Sequence, residues 1–180
     1  MAREPRQLSQ TLPAHLIQHA VHGADCFADA TDRLIFLTQL DRAAHRHHCQ
    51  VHAYVLMTNH VHLLISCPLR DGISKVMQQL TGRYAQRFNH RYGRRGALWE
   101  RRFWSSVVKS DDYVLGTYRY VERNPVKAGL CENPARYRWS SAQHNAWGRQ
   151  DRVVRPHAVY QQLGRTATDR QANYRKILGI

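Results

Sequence analysis

Two short apolar runs joined by a tight turn constrain the fold of this chain more than any other feature. Residues 51–56 and 60–66 are rich in β-branched and large apolar side chains, and Thr58 and Asn59 lie between them. This pattern predicts a β-hairpin, although Thr-Asn is not the strongest turn pair. The chain is therefore expected to contain an antiparallel sheet that includes this hairpin.

Two histidines are set into the second strand of the hairpin. Because side chains two apart in a strand point to the same face, His60 and His62 should project together, with Val61 and Leu63 on the other side. Two imidazoles side by side on a rigid strand can chelate one cation. A histidine in a core strand is more often a hydrogen-bonded core residue than a ligand, so the His-x-His triplet alone leaves both interpretations open.

Hydrophobic periodicity predicts the other elements. They are a strand over residues 15–22, helices over 31–47, 71–91 and 112–123, a strand over 103–108, a short helix within 137–147 and a helix over 168–180. The helix that begins at residue 112 is predicted to end before Pro125. The order of elements predicts an α+β fold with a ferredoxin-like or RRM-like antiparallel sheet, whose helices pack mainly on one face. We divide the chain into an arm (1–13), one domain (14–147) and a basic C-terminal extension with a helix (148–180).

The charge balance indicates a polyanionic partner. The 27 lysines and arginines outnumber the 13 acidic residues, which gives a net charge of +14. Nucleic acid is the first candidate and an anionic membrane surface is the second. No apolar run approaches the ~20 residues of a membrane span, and the N-terminus lacks the apolar core of a secretory signal. We therefore expect a cytoplasmic, nucleoid-associated protein.

Arginines recur every four residues along one side of the predicted helix over residues 71–91. Such a stripe is usually solvated surface, but here no acidic residue alternates with it and further arginines follow. This favours a phosphate-contacting face. The candidate residues are Arg83, Arg87, Arg91, Arg94, Arg95, Arg101 and Arg102. The aromatic residues Trp99, Phe103 and Trp104 near the last two could stack unpaired bases or form the edge of the core.

Helical spacing separates the tyrosines of the helix over 112–123. Val114, Tyr118 and Val121 share one face and form the predicted core stripe. Tyr120 and Asn124 are one turn apart on another face, so both can serve one site. Tyr118 points elsewhere, because two residues turn a helix by roughly 200°.

Three motifs together resemble one protein family. They are Met-Thr-Asn-His-Val-His-Leu-Leu at 57–64, Leu-Trp-Glu-Arg-Arg-Phe-Trp at 98–104 and Tyr-Val-Glu-Arg-Asn-Pro-Val-Lys-Ala-Gly-Leu at 120–130. They are similar to those of the REP-associated tyrosine transposases, which belong to the single-tyrosine HUH transposase superfamily. The likeness spans roughly residues 12–147 and implies an HUH nuclease core.

The resemblance also implies a set of roles. His60 and His62 would bind a divalent metal, Mg²⁺ or Mn²⁺, Asn124 would complete the metal site, and Tyr120 would be the nucleophile. The implied reaction cleaves single-stranded DNA with a hairpin, such as a repetitive extragenic palindrome, through a covalent 5′-phosphotyrosine, and the arginines are then candidate contacts to the DNA backbone. A DNA- or RNA-binding regulator without cleavage is the alternative, and a zinc hydrolase is disfavoured because no acidic third ligand is well placed. Both a monomer and a homodimer remain open.

Overall fold

A four-stranded antiparallel sheet is the centre of the fold within residue 9 and residues 11–180, which are the residues that the computed structural model describes. The strands are β1 (Ala14–His19), β2 (Gln50–Leu56), β3 (His60–Ser66) and β4 (Trp104–Val107). Their order across the sheet is β2-β3-β1-β4, and every pairing is antiparallel. With a helix after β1 and another after β3, this is the ferredoxin-like arrangement, so the predicted α+β class is confirmed.

Two long helices, α1 (Ala30–Arg46) and α2 (Gly72–Arg91), cover one face of the sheet. Alternate side chains of β3, namely Val61, Leu63 and Ile65, pack in one buried cluster with apolar side chains of both helices. The predicted apolar stripe of α2 is buried, and it comprises Ile73, Val76, Leu80, Tyr84 and Phe88. The apolar residues that recur every two positions in the strand and every 3.6 positions in the helix therefore pack against each other in this layer.

A second helical layer covers the opposite face of the sheet. It consists of α3 (Asp111–Lys127), α4 (Ala142–Trp147), α5 (Ala158–Gln161) and α6 (Ala167–Leu178). Val55 of β2 and Leu64 of β3 are buried there with Tyr118 of α3 and with Tyr174 and Leu178 of α6. The sequence pattern placed the helices mainly on one face, and the structure adds this layer because α3 and the C-terminal helices bury their apolar sides on the other.

The two ends of the chain differ in what can be described. The arm predicted for residues 1–13 lies mostly outside the described residues, since residues 1–8 and 10 are not among them. The predicted C-terminal helix is present as α6, and its buried residues belong to the core of the second layer. In the described part of the chain, no helix combines the length and the apolar character that crossing a membrane requires.

Helix α3 continues through Pro125, so the prediction that it ends before this proline is wrong. Proline has no backbone N–H and would leave the carbonyl of Val121 without its helical donor. The side chain of Asn124 supplies a substitute, because its Nδ2 donates to the carbonyl of Val121 at 3.4 Å and to that of Tyr120 at 2.8 Å. Pro125 is itself buried, and the helix gains a further turn that ends at Lys127.

A buried carboxyl group fixes α3 to the rest of the second layer. Glu122 is fully buried and accepts hydrogen bonds from Ser141 Oγ (2.6 Å), Asn145 Nδ2 (2.7 Å) and Tyr174 OH (2.6 Å). Burial raises the pKa of Glu122 to about 7, against the opposing effect of these three donors. The contacts tie α3 to α6 and to the segment around α4, and Ser141 Oγ in turn accepts from the backbone N–H of Tyr54 in β2 at 2.9 Å.

Candidate active site

His60 and His62 project from β3 toward α3, on the same face as Leu64 and opposite to Val61. Their ring centroids are 5.0 Å apart. Burial lowers the pKa of His60 to about 4 and that of His62 to about 3, with smaller contributions from neighbouring histidines. Both imidazoles are therefore neutral at pH 7, which is the form that can bind a metal ion.

Each imidazole of the pair has one nitrogen engaged by a neighbour. His60 Nδ1 lies 2.6 Å from Asn59 Oδ1, and because an amide oxygen only accepts, Nδ1 carries the proton. His62 Nδ1 lies 2.9 Å from Nε2 of His15. Such contacts orient metal-binding histidines and fix their tautomers. In both rings Nε2 is the nitrogen that is left for a ligand.

The ring of Tyr120 lies against these histidines. Its centroid is 5.7 Å from that of His62 and 5.5 Å from that of His15, edge to face in both cases. The side chain is 41% exposed, so a substrate can reach it from solvent. The ammonium group of Lys127 lies 4.3 Å from the centroid of the same ring, which places a positive charge beside the phenol.

Asn124 lies one helical turn after Tyr120, as its spacing predicts. Its amide nitrogen is turned toward the helix backbone, which leaves Oδ1 as the atom available to a cation. The described residues contain no group of three or more His, Cys, Asp or Glu side chains that could hold a metal ion. By their chemistry, two imidazoles and an amide oxygen would nevertheless suit Mn²⁺ or Mg²⁺ and would leave coordination positions open.

The structure thus brings together Tyr120, His60 and His62, while their roles stay predictions. Two further residues of the site were missed from the sequence. Lys127 lies seven residues after Tyr120 and so on its side of the helix, a spacing that could have identified it. His15 could not be found in this way, because its position depends on the register that pairs Ile17 with His62.

The predicted arginines are distributed over different surfaces. Arg83 and Arg87 are exposed on α2, the helix on the face opposite to Tyr120. Arg91 is held by two carboxylates, Asp29 and Asp32, each at 2.6 Å. Its charge is already paired, which makes it a weaker candidate for a phosphate contact than the other two.

The remaining arginines follow α2 or precede β4. The guanidinium of Arg94 stacks at 5.5 Å over Phe88, and Arg95 is exposed. Arg101 and Arg102 are exposed, and both line a hollow beside Trp104 on the side of the sheet that carries Tyr120. The structure therefore brings only these two close to the candidate site.

The three aromatic residues at and just before the start of β4 were predicted either to stack unpaired bases or to form the edge of the core, and the structure divides them between these two positions. Trp99 packs against Phe36 and donates from Nε1 to the carbonyl of Thr81 at 3.0 Å, and Phe103 is buried. Both belong to the edge of the core. Trp104 is 51% exposed, and its ring lies 5.8 Å from that of His15.

The fold and the site define a class, namely a ferredoxin-like protein in which a His-x-His pair on the sheet faces a tyrosine on a helix. The model of the family described as "Transposase IS200 like" matches residues 9–124. Since this is more than half of the chain, the protein belongs to the IS200-like transposase family.

Individual proteins that are similar to this chain include a curated relative and a solved structure. A REP-associated tyrosine transposase of Haemophilus influenzae is 26% identical over 106 residues, which are 51% of this chain and 60% of that protein. The match thus spans about three fifths of the relative. The solved structure of a REP-associated tyrosine transposase bound to a REP hairpin has a TM-score of 0.63 at 15% identity and covers 87% of this chain and 93% of its own. The resemblance predicted from the motifs is confirmed.

Proposed function

We propose that the chain is a metal-dependent enzyme that nicks and joins single-stranded DNA next to a hairpin, with Tyr120 as the nucleophile. The observation that carries this proposal is the contact of the exposed Tyr120 ring with His62, which is itself one of two adjacent neutral imidazoles. Membership of a transposase family supports the same reaction class.

The phenolic oxygen of Tyr120 attacks the scissile phosphorus, and the bond from that phosphorus to the 3′ oxygen of the upstream nucleotide breaks. The 5′ phosphate then remains on the tyrosine, and the phenolic proton ends on the released 3′-OH, so no charge or atom is left over. The ester stores the energy of the broken bond, and a second 3′-OH can reverse the step and join a strand. Lys127 holds positive charge 4.3 Å from the centre of the phenol ring, where it favours the negative charge that the attacking tyrosine develops.

His60, His62 and Asn124 are the residues that would hold the metal ion. A bound divalent cation would polarise the scissile phosphate and offset the negative charge of the transition state. The chain itself supplies orientation: Asn59 and His15 fix the two imidazoles, and the helical turn between Tyr120 and Asn124 keeps the nucleophile next to the cation site.

Hairpin DNA is the proposed substrate. A similar structure was solved with a REP hairpin, and the net charge of +14 fits a polyanion. Near the site, Arg101, Arg102 and Lys127 supply exposed positive charge. Binding is expected to weaken steeply as the salt concentration rises, because each phosphate contact releases counterions.

The test is incubation with end-labelled hairpin DNA that carries unpaired flanks, in the presence of Mn²⁺, followed by a denaturing gel. We expect a covalent protein–DNA band that is absent after chelation and absent in Tyr120→Phe. Hairpin binding without such a band, at several flank sequences and with both Mn²⁺ and Mg²⁺, would overturn the proposal in favour of the non-cleaving regulator.

A further inference from the structure

An open groove of about 380 Å³ is lined by Tyr120 and His15 at the candidate site. Its walls are aromatic to an unusual degree for a solvated surface. Trp104 is 51% exposed and Tyr113 is 72% exposed, and both line the groove together with the nucleophile. Large exposed rings in one place indicate a binding surface, since soluble proteins rarely leave such area uncovered.

Trp104 also forms the wall of a second hollow. This hollow has a volume of about 270 Å³ and is lined by Arg101 and Arg102. The loop that carries these arginines is held in place, because Gln18 Nε2 donates to the carbonyl of Arg101 at 2.9 Å and the backbone N–H of Glu100 donates to that of His19 at 3.1 Å. One indole therefore stands between two exposed arginines, whose loop backbone is held in place, and the candidate nucleophile.

The position of Trp104 follows from strand register. It lies opposite Ile17 in the pairing of β1 with β4, and paired residues share a face of the sheet. Ile17 is in turn opposite His62. Because β4 is an edge strand with β1 as its single neighbour in the sheet of the described residues, nothing in that sheet covers the outer side of the indole.

Gly116 forms part of the groove floor. A glycine inside a helix is less favourable than an alanine. A Cβ at this position would meet no atom within 4 Å, so packing does not require glycine here. What the glycine provides is space, on the side of α3 that also carries Tyr113 and Tyr120.

We infer that Trp104, with Tyr113, is a stacking platform for an unpaired base of the DNA strand that enters the site. This inference rests on the proposed function and names how the single strand is held: phosphates at Arg101 and Arg102, a base on the indole, and the scissile phosphate at Tyr120. Aromatic rings beside a basic groove bind single strands in this way with little sequence preference, because every base has a π-face.

The test compares two DNAs that differ only in their bases. Both contain the same hairpin, and the unpaired flank has either randomised bases or base-free sugars that keep every phosphate. In the Tyr120→Phe background, we expect the base-free flank to bind roughly fivefold or more weakly, which corresponds to about 1 kcal/mol. Trp104→Ala should bind both DNAs alike, and Trp104→Phe should retain part of the difference.

Trp147→Ala is the matched control, because this tryptophan is 46% exposed but lies on α4 beside Arg175. It should keep the full difference between the two DNAs. If Trp104→Ala keeps that difference as well, or if its removal converts a dimer into a monomer in sedimentation, the indole is not a base platform. The labelled-hairpin gel tests the proposed function separately. A Tyr120-dependent adduct, together with equal binding of the two DNAs, would overturn the stacking platform and leave the proposed function standing.

Gly116 provides a second test that a folding defect cannot imitate. Gly116→Ala and Gly116→Leu should both raise the unfolding temperature, because both residues favour a helix. Only the leucine side chain projects far into the groove, so it should weaken binding of the base-bearing flank while alanine leaves binding nearly unchanged. Equal binding by the two variants would show that the DNA does not use the groove.

Discussion

The two sides of α3 have opposite characters. One side carries Tyr113, Gly116, Tyr120 and Lys127 and opens to solvent. On the other side, the buried residues Val114, Tyr118, Val121, Glu122 and Pro125 pack into the second layer. A single helix therefore separates a buried anchoring side from the exposed side that carries the candidate nucleophile, since positions two residues apart differ by about 200°.

The difference explains why the side of α3 that carries Tyr120 can be so exposed. Tyr120 contacts neighbours through its ring, and within the described residues no hydrogen bond holds its hydroxyl. Its position is fixed by the buried side of α3, where Glu122 accepts hydrogen bonds from three donors on α6 and in the segment around α4. A reactive group can remain accessible when the rigid contacts lie on the opposite side of its own helix.

The largest effect on activity is expected from removing a tyrosine hydroxyl, first on the exposed side of α3 and then on its buried side. Tyr120→Phe should abolish the covalent DNA adduct and leave stability within about 0.5 kcal/mol of the parent, because an exposed hydroxyl without a partner contributes little. Tyr118→Phe should keep the adduct and lower stability by about 1 kcal/mol, because its hydroxyl accepts from the backbone N–H of His157 at 3.1 Å. A labelled-hairpin gel and chemical denaturation measure the two quantities.

The pair of variants has a clear contrary outcome. An adduct that survives Tyr120→Phe and disappears in Tyr118→Phe would exchange the two roles and end the division between the sides. Equal losses of activity in both, with normal unfolding curves, would show that both tyrosines act in the reaction.

Glu122 gives the largest expected effect on stability. Glu122→Ala leaves three buried donors without their acceptor, and we expect a loss of about 4 kcal/mol in the free energy of unfolding. Glu122→Gln keeps an oxygen for Ser141 and Asn145 and should lose only about 1 kcal/mol. Urea denaturation compares the two, and an alanine variant as stable as the glutamine variant would show that the network does not anchor α3.

Much of the fold followed from local patterns. The hairpin, the α2 stripe and the core side of α3 depend on periods of two and 3.6, which a sequence displays directly. The extension of α3 past Pro125 did not follow, because it depends on a side-chain bond from the preceding Asn124. The second helical layer was not anticipated either, since which face a helix covers is decided by tertiary packing.

The candidate site was predicted only in part from the sequence. Tyr120 and the histidine pair were singled out by spacing and by resemblance, and the structure places them in contact. His15 and Trp104 joined them through strand register, which no local pattern fixes for distant strands. The pairing of Arg91 with Asp29 and Asp32 joins α2 to the start of α1, 62 and 59 positions away, so charge periodicity alone could not reveal it.

A pH test examines the anchored side without touching the candidate ligands. Burial lowers the pKa of His52 to about 4 from its ordinary value of 6.5, and the ring bridges the carbonyl of Arg155 and the hydroxyl of Ser66. A lowered pKa means that the unfolded chain binds more protons between these values. His52 should therefore contribute full stability above pH 6.5 and lose about 3 kcal/mol of it as the pH falls to 4.

Buried histidines of the site shift in the same direction, so the wild-type curve sums several groups. His52→Gln isolates one of them, because glutamine can donate to Arg155 and accept from Ser66 without titrating. The unfolding temperature of this variant should fall less steeply between pH 6.5 and 4 than that of the parent. Parallel curves would show that His52 is not held neutral by the fold.

The smallest effect extends the comparison to the far face of the sheet, where α2 offers two arginines one turn apart. Arg87 is exposed without a carboxylate partner in the described structure, whereas Arg91 donates to Asp29 and Asp32. If the hairpin duplex reaches α2, Arg87→Gln should reduce the slope of log Kobs against log salt by about 0.9, the value for one phosphate contact on duplex DNA. Arg91→Gln should leave that slope unchanged and alter the unfolding curve instead, because its charge serves the contact between α1 and α2. An unchanged slope in both variants would confine the DNA to the side of the sheet that carries Tyr120, and the phosphate contacts would then fall to Arg101, Arg102 and Lys127.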